Sequence, residues 1–133
     1  MNNPRRKKTV IIADDNKDVR EVLRTQLQML GYRVLEAADG QEAVELVQSE
    51  VPNLILMDLS MPRVDGFEAT RRIRQNTPKS EVIIIALTCL GGLQVKQRAI
   101  AAGCDDYALK PIGLAELSLL LARHRVPKER KIA

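Results

Sequence analysis

At 133 residues, with 45% hydrophobic and 29% charged positions and a net charge of +4, the chain has the size and make-up of one soluble domain able to bury a full core. No apolar run approaches 18 residues, which excludes a membrane-spanning helix, and the stretch Val10–Ala13 after the basic N-terminus is too short for a secretory signal. Two cysteines, Cys89 and Cys104, make no disulfide framework, so a reducing cytoplasm is expected, with both thiols as small buried hydrophobes.

The elements alternate along the chain. Thr9–Ala13 is a short apolar, β-branched run and reads as a strand. Lys17–Leu30 follows as a helix, with Val19, Val22, Leu23, Leu27 and Leu30 on one face and Gly31 as its stop. Arg33–Ala37 alternates like a half-buried strand, and Asp39 with Glu42 three residues on marks the start of a second helix. Leu54–Met57 is a third strand, and Asp65 with Glu68 opens a third helix running through Arg74. Val82–Leu87 is a fourth strand, about 93–102 a helix stopped by Gly103, Tyr107–Leu109 a short fifth strand, and Leu114, Leu117, Leu120 and Leu121 mark a last helix.

Five strands alternating with five helices predict an α/β fold with a parallel sheet and helices on both faces. Strands one, three and four are near-continuous apolar runs and belong inside the sheet, while strands two and five are weaker and suit its edges. That split fits the doubly wound, flavodoxin-like order 2-1-3-4-5, in which ligands bind outside the carboxyl ends of the strands.

At those ends the polar residues form a set. Asp14 and Asp15 follow strand one, Asp58 strand three, Thr88 strand four and Lys110 strand five. Three crowded carboxylates repel and need a counter-charge, which Mg2+ supplies with oxygen ligands while keeping waters and taking a phosphate. A carboxylate beside Mg2+ can accept a phosphoryl group as an acyl phosphate, with Lys110 and the Thr88 hydroxyl available to the phosphoryl oxygens. Nothing supplies a Ser/His/Asp triad, since the one histidine, His124, lies in the basic C-terminal stretch. Taken singly, each residue has an ordinary structural reading as a cap, a turn or a solvated charge.

Together, Ala13-Asp14-Asp15-Asn16, the run Leu56 to Gly66 around Asp58, Ala86-Leu87-Thr88, and Gly103 to Pro111 resemble the receiver domain of two-component response regulators over about residues 9–123. The resemblance implies that Asp58 takes phosphoryl from a histidine kinase or histidine phosphotransfer protein. Asp14, Asp15, Asp58 and the Ser60 carbonyl would hold Mg2+. Lys110 would pair with Asp58 and then with the phosphoryl group, ahead of a cis bond to Pro111. Thr88 and Tyr107 match the family's switch pair, which changes the surface around helix 4, strand 5 and helix 5. Ser60 and Leu90, two residues beyond Asp58 and Thr88, occupy the positions that help govern water access. Cys89 stands where the family usually has Ala or Gly.

The expected function is thus a stand-alone phospho-switch, monomeric when unphosphorylated, that signals to a separate downstream protein. It is not an enzyme beyond slow self-phosphorylation and dephosphorylation. The alternative is a pseudo-receiver that keeps the fold without phosphorylation. A haloacid-dehalogenase-type phosphohydrolase is disfavoured, because Ser60 stands where that family has its second aspartate. A fragment of a hybrid kinase stays open.

The charge is unevenly spread. Arg5–Lys8 are all basic, and five Lys/Arg against one Glu follow from Arg123 onward. Residues 1–8 and 124–133 are read as solvated basic tails flanking an acidic 9–123 domain. With only Tyr32, Phe67 and Tyr107 as aromatics, there is no stacking stripe, and nucleic acid is not an expected partner.

Overall fold

The computed structural model describes residues 7–124. The elements run β1 (Thr9–Ala13), α1 (Lys17–Met29), β2 (Arg33–Ala37), α2 (Gly40–Glu50), β3 (Leu54–Met57), α3 (Gly66–Asn76), β4 (Ile83–Thr88), α4 (Leu93–Ala102), β5 (Asp106–Leu109) and α5 (Leu114–Arg123). All pairings are parallel and the strand order is β2-β1-β3-β4-β5. The fold is the doubly wound α/β sheet that the alternation predicts. The tails lie almost wholly outside the described residues.

Strand alternation divides the core in two. Ile11, Ile55 and Ile84 pack with Val47, Phe67, Ile73 and Ala99 from α2, α3 and α4. Val10, Ile12, Leu56, Ile85 and Leu87 pack with Leu23 and Leu27 of α1 and with Leu117, Leu120 and Leu121 of α5. Both faces of β1, β3 and β4 are therefore dry, which is why those strands are apolar but for Thr9 and Thr88 at their ends.

The starts of α1, α2 and α3 are set by short polar side chains. Asn16, Asp39 and Asp65 each accept backbone N–H bonds from the first turn of the helix they open. Gly66 is fixed by close approach, since a Cβ there would stand 2.1 Å from the carbonyl oxygen of Asp58. That contact seats the start of α3 directly against the end of β3.

Two expectations on packing are corrected. Val22 is 59% exposed, because the inward stripe of α1 narrows to Leu23 and Leu27 and leaves Val22 on the helix flank. Cys89 is exposed while Cys104 is buried. Cys89 is the first residue past Thr88, where the chain has left the sheet and has no neighbouring strand to cover it. Element ends shift by one: β4 extends to Thr88, which pairs with Leu109, and β5 begins at Asp106, opposite Ile85.

Candidate phosphoacceptor site

The carboxyl ends of β1, β3, β4 and β5 bring the polar set together. Asp14 and Asp58 are 3% and 6% exposed, while Asp15 is open to solvent. One carboxylate oxygen from each of Asp14, Asp15 and Asp58 lies within 4.8 Å of the other two. Lys110 reaches into the group, its Nζ donating to Asp14 Oδ2 at 2.5 Å and to Asp58 Oδ2 at 3.2 Å.

The local backbone explains why each group points inward. Asp14 N–H donates to Ala37 O across to β2, and Asp58 N–H to Ala13 O across to β1, so both residues continue the ladder by one step. The other Asp14 oxygen accepts Asn16 N–H at 2.8 Å, and Asp58 Oδ1 accepts Ser60 N–H at 3.3 Å. Lys110 N–H donates to Thr88 O, and the Lys110–Pro111 bond is cis, as the resemblance implied.

The electrostatics are unbalanced. Burial pushes the Asp58 carboxyl above its usual range and the Asp14 charge adds to this; the Lys110 ammonium and the Ser60 amide only partly offset them. Burial alone would lower the Lys110 ammonium, but its hydrogen bond to Asp14 and the charges of Asp58 and Asp14 hold it above its usual value. One cation thus faces three carboxylates. Clustered, partly buried oxygen donors with a charge deficit and one open flank fit a hard divalent cation that keeps some of its water.

Thr88 is fully buried and its hydroxyl accepts Leu90 N–H at 3.2 Å. The Tyr107 hydroxyl donates to the carbonyl of the same Leu90. One peptide segment of the β4–α4 connection therefore bridges Thr88 and Tyr107. Sequence reasoning placed both side chains but missed this tie, because it runs through the Leu90 backbone, on which side-chain identity carries no signal. The Leu90 side chain is partly exposed. Cys89 lines an apolar groove of about 350 Å3 with Val19, Val22, Lys110 and Pro111, beside the site. His124 stands at the other pole, its Nε2 2.7 Å from Asp106 Oδ2.

Comparison with known proteins agrees with this geometry. The chain is 41% identical over 117 residues to a probable transcriptional regulator, ycf27, of Galdieria sulphuraria, covering 88% of this chain and 45% of that protein. It thus spans about half the length of the curated relatives it matches. Among solved structures, the receiver domain of a Pseudomonas aeruginosa sensor histidine kinase superposes with a TM-score of 0.81 at 36% identity, covering 89% of this chain and 97% of that one; it holds a magnesium ion in its active site cleft. The Vibrio cholerae chemotaxis protein CheY4 gives a TM-score of 0.83 at 30% identity, with 89% and 98% covered. The response regulator receiver domain profile matches residues 10–122, the span from β1 into α5 that builds both the sheet and its acidic pocket. The chain belongs to the receiver domain family of two-component response regulators.

Proposed function

We propose that this chain is a phosphoacceptor switch in which Asp58 receives a phosphoryl group from the phosphohistidine of a histidine kinase or histidine phosphotransfer protein. The observation that supports it best is the charge deficit around Asp58: a buried carboxylate beside two more, with one lysine that it shares with Asp14. Asp14, Asp15, Asp58 and the Ser60 carbonyl would hold Mg2+. Bound there, the ion supplies the positive charge that lets three carboxylates and a phosphoryl group coexist.

The chain's own residues do the rest. An Asp58 carboxylate oxygen attacks phosphorus, the new P–O bond forms as the P–N bond to the donor imidazole breaks, and the electron pair leaves with the imidazole nitrogen. Lys110, already 3.2 Å from Asp58, neutralises a phosphoryl oxygen. The Thr88 hydroxyl, drawn toward another, gives up its bond to Leu90 N–H. That loosens the segment Tyr107 is tied to, and the ring can repack against the α4 side of the sheet. The surface of α4, β5 and α5, where Leu93, Leu109 and Leu119 stand exposed, changes with it and is read by a separate partner. Phosphoryl transfer to one carboxylate thus becomes a change in an apolar surface. Among the described residues no helix is long and apolar enough to cross a membrane.

Acetyl phosphate with Mg2+ should add one phosphoryl group by intact mass, and Asp58→Asn should abolish it. Stoichiometric labelling of that variant, or undiminished labelling in EDTA, would overturn the reading.

A further inference from the structure

The Asp15 carboxylate is exposed, and among the described residues no side chain or backbone donor holds it. Its place beside Asp14 and Asp58 must therefore be set by its own backbone. The peptide that carries it begins at the Asp14 carbonyl, and that oxygen accepts a 2.8 Å hydrogen bond from Arg20 Nη1 on α1. The same guanidinium donates through Nε to Glu36 Oε1 of β2 at 3.0 Å, and Arg24 pairs with the other Glu36 oxygen. Glu36 lies opposite Ile12 in register, on the sheet face that α1 covers, and the Arg20 and Glu36 side chains are only 16% and 22% exposed. A planar guanidinium clamped on two edges has one orientation, and it transmits that orientation to the Asp14–Asp15 peptide.

We infer that Arg20, aligned by Glu36, is a positioning residue for the cation site: it fixes the Asp14–Asp15 peptide and through it aims the otherwise unsupported Asp15 carboxylate. This rests on the proposed cation site at Asp14, Asp15 and Asp58. It also has a sign that distinguishes it from simple charge effects. Removing the cation that sits on the Asp14 carbonyl, next to the acidic group, should, by Coulomb attraction alone, tighten a divalent cation. Removing a positioning group should loosen it, and outer partners of metal ligands typically control about 10- to 100-fold in affinity.

The test is a Mg2+ titration of the full chain followed by amide shifts of residues 14–16, with hydrogen exchange of the Asn16 amide measured on the metal-free protein. Arg20→Met is expected to weaken Mg2+ about tenfold and to raise Asn16 exchange. Arg20→Lys keeps the charge but not the fork, and should fall between. With Glu36→Gln added, Arg20→Met should lose no further affinity. Unchanged or tighter Mg2+ in either Arg20 variant overturns the inference, and a fully additive double variant removes Glu36 from it. If the unmutated protein binds no Mg2+, the cation reading fails. The exchange of Asn16 then decides the positioning role alone, faster exchange in the Arg20 variants supporting it and unchanged exchange overturning it. Should Arg20→Met not fold, Arg20→Lys carries the same comparison.

Discussion

The two poles of this sheet hold partly buried charges of opposite design. At the amino ends of β4 and β5, Arg74 donates to Gly103 O at 2.9 Å, to Val82 O at 2.8 Å and to Asp105 Oδ2 at 2.8 Å, and that same carboxylate oxygen accepts Ile84 N–H. His124 and Arg123 face Asp106 beside it. Each carboxylate there has a basic partner. At the carboxyl ends, one lysine serves three carboxylates and Asp58 is held above its ordinary range. Matched charge fastens the fold, whereas the mismatched charge supports the proposal that a further cation and a phosphoryl group are received at the carboxyl ends.

Breaking the matched pole should have the largest effect on stability. Arg74→Ala leaves two carbonyls without this donor and the Asp105 carboxylate without its cation, held only by Ile84 N–H, and should cost about 3 kcal/mol, on the order of 10 °C in Tm. Thermal or urea unfolding checks this, and a loss under about 1 kcal/mol would mean that the pole is not the fastening it is taken for.

Removing charge from the mismatched pole should act in the opposite direction. Because the Asp58 carboxyl is raised, the folded state holds its proton to higher pH than the unfolded chain does. Stability from this group is therefore greatest at low pH and is lost as pH rises through the folded value. Metal-free Asp58→Asn should then be more stable than the unmutated protein at neutral pH, by on the order of 1 kcal/mol, with the gain shrinking on acidification toward the usual carboxylate range. A variant less stable at pH 7, or a gain that grows in acid, would break the contrast between the poles.

A smaller effect concerns the lifetime of the phosphorylated state. Ser60 can offer a water one hydrogen bond and Leu90 offers none, so the phospho-protein should decay slowly. Leu90→Glu, which adds a carboxylate able to orient the attacking water, should shorten the half-life about five- to tenfold, the worth of roughly 1 kcal/mol. Decay is followed after removal of the phosphodonor with Mg2+ in excess. An unchanged or longer half-life would shift attention to Cys89 and the Gly91-Gly92 connection.

The poles also differed in how legible they were. Asp14, Asp58, Thr88 and Lys110 each end an apolar run, so strand periodicity alone delivers them to one end of the sheet. The matched pole offered no such punctuation. Arg74 reads as an ordinary last-turn charge of α3, and its partners Val82 O and Gly103 O are backbone atoms. Arg20 and Glu36 likewise read as a solvated helix residue and the polar position of an edge strand. Only the register of β1 on β2, with α1 laid over it, brings them together. Val22 and Cys89 failed for the converse reason: periodicity and residue type mark what could be buried, and the neighbours present decide what is.

The most direct measurement is the titration of the Asp58 side-chain carboxyl carbon by NMR, assigned by its loss in Asp58→Asn, with and without Mg2+. In the metal-free protein it should titrate clearly above the ordinary aspartate value of about 3.9, and Mg2+ should drive it below that value. An Asp58 that titrates at the ordinary value without metal, and does not move when Mg2+ is added, would contradict the charge deficit on which the phosphoacceptor role rests.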